Sequence, residues 1–319
     1  MKTLNGIPNK IYENGKINLT MRWVRAYTPQ PEKQRLYRQA LWITILGNIL
    51  LAISKGIVAH FSGSVAIYAD AANSVSDVIY SFLMVLGLWA AQQPPDLSHP
   101  QGHSRFEPLV GLLVTISMTL AGYEAARASI TRFMQGGKVV EPGLLSIVLL
   151  VAAAVKAWMY FTTRRIGRTL NSPTLITTAQ DNLSDMLASI AAVAGGLASS
   201  FFNPVLDPIA GFIVAAWIFR AAFRAGRENL YFLTGGGASE DLRHKIVAIT
   251  QEVPGVVGVH HLMTEYVGPR LVIDMHVNVD GKTPLTQSHA ISDEVIARLQ
   301  ALPEVDRAYV HIEPENWVD

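Results

Sequence analysis

The chain has 319 residues, half of them hydrophobic and only 16% charged, which excludes an ordinary water-soluble globule and points to an integral membrane protein. It carries no cysteine, so a disulfide framework and a thiolate site are both excluded, and any metal must be held by oxygen and imidazole. The net charge of +1 hides a basic N-terminus in which Lys2, Lys10, Lys16, Arg22, Arg25, Lys33, Arg35 and Arg38 face only Glu13 and Glu32.

Residues 1–36 read as a basic cytoplasmic segment, a topological signal or a surface segment near anionic lipid and not a nucleic-acid site, since the positive-inside rule keeps such an end in the cytoplasm. A cleaved signal peptide is not expected, because the apolar run that follows has full spanning length. Six apolar segments, at 40–61, 65–91, 107–133, 143–162, 174–201 and 205–224, each approach or exceed the ~20 residues a membrane helix needs. They form an expected six-helix domain over 37–230, with both termini cytoplasmic in a cell (inner) membrane. Ser62-Gly63-Ser64, Pro94-Pro95, Gly136-Gly137 and Pro142 mark its breaks. Asp207-Pro208 reads as a helix cap followed by proline at the first helical position. Arg164, Arg165 and Arg168, then Arg220, Arg224 and Arg227, fall on the expected cytoplasmic side; Arg127, Arg132 and Lys138 count against it.

The second segment carries DAANSVSD, Asp70 to Asp77. Charge at membrane depth costs a few kcal/mol, so its default reading is functional. Asn73 and Asp77 are one helical turn apart on one face, and Asp181 and Asp185 repeat that spacing in the fifth segment. Facing each other, the pairs supply three carboxylates and one amide oxygen, a ligand set for a hard or borderline divalent cation. Lys55 and Lys156 either snorkel toward an interface or pair with an acid, snorkelling being the simpler account.

Past Gly235-Gly236-Gly237 the chain reads as a small soluble domain over 238–319. The expected order is a helix from Ser239 to Thr250, strands at Val256–Tyr266 and Arg270–Val279, a helix at Gln287–Gln300 and a strand at Arg307–Ile312. This αββαβ order suggests an α+β, ferredoxin-like layer. Alternation puts His276 off the core face of LVIDMHVNV, and His311 and Glu313 off the core face of the last strand. With His260, His261 and His289 near in sequence, these form a candidate metal cluster.

These motifs resemble the cation diffusion facilitator family of metal-cation/proton antiporters over nearly the whole chain, from about Arg38 to Glu313. ADAANSVSD from Ala69 matches the family's second-span ADAxHSxxD, with Asn73 in the histidine's place. Asp181 and Asp185 match HxxxD in the fifth span, with aspartate replacing histidine. Asp96, His99 and His103, within DLSHPQGHSRFE, match the loop pattern DxxHxxxH. The tail segments VHHL, IDMHV, TPLTQSH and VHIEP match the family's tail sites at His260, His276, His289, His311 and Glu313. The resemblance implies a homodimer formed through the tail, and an acidic partner for Arg105 near Gly235 that LTGGG does not provide.

Aspartate at the fifth-span position resembles the manganese-handling branch. An all-oxygen site agrees in direction, since it lacks the imidazole that favours zinc. The expected cargo is manganese first, iron second, with zinc or cobalt as further candidates; no cofactor is expected, and divalent metals at the loop and tail would act as regulators. Three crowded carboxylates hold protons when empty and release them to a metal, so metal export against protons follows by alternating access. A di-iron oxidase is disfavoured, because Glu107, Glu124 and Glu141 have no histidine three residues on. A passive channel and a non-transporting sensor or scaffold remain as alternatives.

Overall fold

A computed structural model describes residues 11–13, 16–18, 23–27, 29–62, 65–136 and 143–317. The expected signals at Lys2, Lys10, Arg22, Gly63-Ser64, Gly137, Lys138 and Pro142 lie outside these. Strands β1 (Ile11–Glu13) and β2 (Lys16–Asn18) pair antiparallel. Six helices follow: α1 (Pro31–Ser62), α2 (Val65–Ala91), α3 (Phe106–Met134), α4 (Leu144–Leu170), α5 (Pro173–Phe201) and α6 (Leu206–Leu233). All six are long and apolar enough to cross a membrane.

Three helices outrun their apolar segments. The first begins at Pro31 and not 40, the fourth runs to Leu170 and not 162, and the sixth to Leu233 and not 224. The arginines that close those segments are good helix formers, so the helix continues through them until a backbone signal stops it. For α4 that signal is Asn171, left-handed at φ 52, and for α6 it is Thr234 with Gly235 at φ +76. Asp207 is not the cap expected of it. Val205 occupies that position, while Asp207 lies buried in the first turn and pairs with Arg132 at 2.8 Å. That pair, and Arg127 with Glu124 at 2.9 Å, locally compensate the arginines that ran against the charge bias.

Buried polar contacts fix the bundle. Ser172 caps α5, its hydroxyl accepting from the Leu175 N–H at 3.2 Å, with Pro173 at the first helical position. The same hydroxyl donates to Glu107, which also accepts from the Tyr37 hydroxyl at 3.0 Å, so one buried carboxylate joins α1, α3 and the start of α5. Helices α3 and α6 approach closely where Gly111 meets Asn229: a Cβ at Gly111 would lie 1.9 Å from Asn229 Oδ1. Asn229 in turn donates to Thr177 on α5 at 2.8 Å.

The tail has the expected αββαβ order: α7 (Glu240–Gln251), β3 (Gly258–Val267), β4 (Arg270–Val279), α8 (Leu285–Gln300) and β5 (Val305–Pro314). Strand β4 is central, antiparallel to β3 and parallel to β5. Leu271, Ile273, Met275 and Val277 are fully buried, and Ile246, Val295 and Leu299 cover them from the helices. The opposite face of this sheet is left to the histidines.

Candidate metal centre

Helices α2, α4 and α5 meet at the membrane carboxylates. Lys156, from the middle of α4, places its Nζ 3.0 Å from Asp77 Oδ2 and 2.6 Å from Asp185 Oδ2. The lysine side chain is 6% exposed and the two carboxylates 18% and 25%. Asp181, one turn before Asp185, shares the electrostatic field of Lys156, Asp77 and Asp185. Snorkelling is thus overturned for both lysines. Lys156 sits about 18 Å of helix from the nearer end of α4, too far for its stem to reach water. Lys55 is buried and pairs with Asp70 at 2.9 Å, which also gives Asp70 its role.

The turn that carries Asp77 is held from behind. Ser81 donates to the Asp77 carbonyl at 2.7 Å and accepts from Asn48 of α1 at 2.6 Å. Asn73, one turn before Asp77, is exposed, and among the described residues no hydrogen bond joins it to the acids. The chemistry at this point is two carboxylates either side of a position now filled by an ammonium group, with a third, Asp181, one helical turn from Asp185.

The α2–α3 loop assembles a second set. Asp96, His99 and His103 each offer a ligand atom, all within 4.8 Å of one another. Asp96 lies 3.5 Å from both His99 Nδ1 and His103 Nε2. His103 Nδ1 meets the Pro94 carbonyl at 3.1 Å; with the proton there, Nε2 presents a lone pair to the cluster. The His99 backbone N–H donates to Asp96 at 2.6 Å and is the main cause that holds this carboxyl below its ordinary pKa.

A third set lies on the open face of the tail sheet. His260 Nε2 is 3.0 Å from Glu313 Oε2, and His276 Nδ1 and His311 Nε2 are each 3.4 Å from Glu313 Oε1. His260, His276 and Glu313 offer ligand atoms that all lie within 4.8 Å of one another. A β-bulge between Val259 and His261 makes this possible. Strict alternation would send His260 and His261 to opposite faces, yet both rings approach His276, with centroids at 5.4 and 4.7 Å. His289 is held apart on α8, 3.6 Å from Asp293, because Ile291, Val295 and Leu299 turn the other side of that helix to the sheet.

Two contributors escaped the sequence reading. Asn278 meets His260 Nδ1 at 2.7 Å, leaving the other nitrogen for Glu313; its place beside His276 on the same strand face was the available signal. Glu265 pairs with Arg105 at 2.6 Å and packs against Gly235, where a Cβ would lie 2.7 Å from its Oε1. It is the acid that LTGGG lacks, supplied from 30 residues on by the β3 strand.

Carboxylates inside a six-helix membrane bundle, followed by a metal-capable α+β tail, define a multi-pass membrane protein that handles metal cations. Residues 41–234 match the family model described as the cation efflux transmembrane domain, and residues 238–315 the cation efflux protein cytoplasmic domain. The chain belongs to the cation efflux, or cation diffusion facilitator, family, whose members are transporters and not enzymes. It is 34% identical over 279 residues to an uncharacterized transporter of Methanocaldococcus jannaschii, covering 88% of this chain and 99% of that one. Identity is 27% over 273 residues to the manganese efflux system protein MneS of Bacillus subtilis, covering 85% and 93%. A solved MamM-CTD structure is 30% identical, covers 25% of this chain and all of its own, and gives a TM-score of 0.24.

Proposed function

We propose that this metal exporter carries a divalent transition ion, manganese first and iron second, with zinc or cobalt as further candidates, out of the cytoplasm in exchange for protons. The observation that carries the reading is the meeting of Asp77 and Asp185 about one buried cation, with Asp181 one helical turn from Asp185 and no imidazole among the three. Hard oxygen donors suit manganese and ferrous iron better than they suit zinc. A relative named for manganese efflux supports manganese as the first candidate. Asp77 and Asp185 serve as the core ligands and proton carriers, Asp181 as the third carboxylate, and Asn73 as a neutral ligand brought in when α2 turns.

Alternating access would expose this point first to one side and then to the other. The chain works as a homodimer through its tail, in the cell (inner) membrane with both termini in the cytoplasm. Metal at Asp96, His99 and His103, and at His260, His276, His311 and Glu313, regulates the carrier and is not cargo.

The test is uptake into inside-out proteoliposomes, with manganese, iron, zinc and cobalt compared and a lumenal pH dye recording proton release. Metal entry coupled to proton exit, abolished by Asp77→Ala and by Asp185→Ala, is the expected result. Entry without a proton signal would mean a passive channel. No entry, with metal still bound at the tail, would mean a sensor.

A further inference from the structure

We infer that Lys156 is a tethered competitor of the cargo: its ammonium group occupies the position between Asp77 and Asp185 where the metal binds, and it must swing away for the metal to enter. This rests on the carrier reading above, and concerns how the same site is kept empty and how it is cleared.

One cation contacts carboxylate oxygens from two different helices at 3.0 and 2.6 Å. A metal bridging those same carboxylates needs the same space, at oxygen distances of about 2.0–2.6 Å. A divalent ion and an ammonium group cannot share it, because at such separations in a dry site their repulsion is large. The exchange moves a charged side chain and asks no proton of it.

The arrangement has two uses. A tethered ligand is present at high effective concentration, so an entering ion must beat it, which a doubly charged ion does and a singly charged one does not. On the release side the same lysine, returning, displaces the metal. A plain structural ion pair predicts the opposite sign on removal: the acids would lose their support and bind metal less well. Lys55 is not a substitute, since its ammonium group is engaged 2.9 Å from Asp70.

The experiment is equilibrium binding of manganese to the purified full-length chain in nanodiscs at mildly alkaline pH. The background carries His99→Ala, His103→Ala, His260→Ala and His276→Ala, so that loop and tail do not contribute. Lys156→Met should bind about tenfold tighter or more, as loss of an intramolecular competitor requires, while Lys156→Arg should stay near the native value. If the methionine variant does not fold, Lys156→Gln repeats the test with a neutral side chain that still hydrogen-bonds to carboxylates. Unchanged or weaker binding in the neutral variant, or equal tightening in the arginine variant, overturns the inference. Asp77→Asn is the control for the underlying reading. If it abolishes binding, the membrane site is the one measured and the lysine result stands for or against the competitor alone; if it leaves binding intact, the carrier site itself is wrong and the inference falls with it.

Discussion

Asp185 has two partners of opposite kind, a lysine 2.6 Å away and a neighbouring carboxylate one turn back. Removing one member of a buried ion pair leaves the other charge uncompensated, at about 3–5 kcal/mol. Because Lys156 keeps Asp77 at 3.0 Å, Asp185→Ala should destabilise the native chain by less than that full amount, and by less again when Lys156 is already methionine. Thermal unfolding of both single variants and the double variant measures the difference, and equal losses would show that the two side chains are not coupled. In the loop, the His99 N–H holds the Asp96 carboxyl below its ordinary pKa. A lowered value means that the contact is fully made above the ordinary carboxylate range and is lost only as pH falls through the lowered pKa. The Asp96 carboxyl carbon, followed by NMR without metal, should then titrate below the unperturbed value of about 3.9; a midpoint above it would mean the amide does not donate in solution.

At the scale of elements, the α3–α6 contact is set by backbone proximity. Gly111→Val puts two methyl groups where Asn229 Oδ1 now lies, and breaks the Asn229 to Thr177 bond that links α6 to α5. Overpacking of this kind costs about 1–3 kcal/mol, so a lower melting temperature in detergent is expected, with Gly122→Ala milder because its nearest neighbour would be 3.1 Å away. Apolar length made all six helices legible, since a bilayer demands it. Their ends were not, because hydropathy stops at an arginine and a helix does not: α4 continues through Arg164, Arg165 and Arg168 to Asn171. Period-two alternation located His276, His311 and Glu313 correctly on one face of the tail sheet. It could not foresee the bulge at His260, which depends on pairing between strands and leaves no mark in a single strand. Which acids Lys156 pairs with was hidden for the same reason, because they are 79 and 29 positions away in sequence, on other helices.

Over the whole molecule, the tail is docked onto the bundle at several points. Ser104 donates to the Val267 carbonyl at 2.8 Å, beside the Arg105–Glu265 pair. The segment ahead of α1 reaches the same joint. Its Arg25 is buried against Asp306 of β5 at 2.6 Å, and the Arg25 N–H donates to the Pro100 carbonyl of the α2–α3 loop at 3.0 Å. Arg270 adds a second cation to Asp306 at 3.3 Å, and Arg307 donates to the Ala26 carbonyl at 3.2 Å. Asp306→Ala removes the shared anion from two arginines, so the tail should loosen, and limited proteolysis near Gly235-Gly236-Gly237 should quicken several-fold. An unchanged cleavage rate would mean that Arg105 and Ser104 hold the tail alone.

That joint bears on how far the protein can be treated as interchangeable parts. The two family models divide it cleanly near residue 236, and a chimera builder would cut there. Yet Asp306 answers to Arg25, and Glu265 to Arg105, each across that cut. A tail borrowed from a relative would arrive without its matching counter-charges unless the short stretch before the first helix and the α2–α3 loop travelled with it.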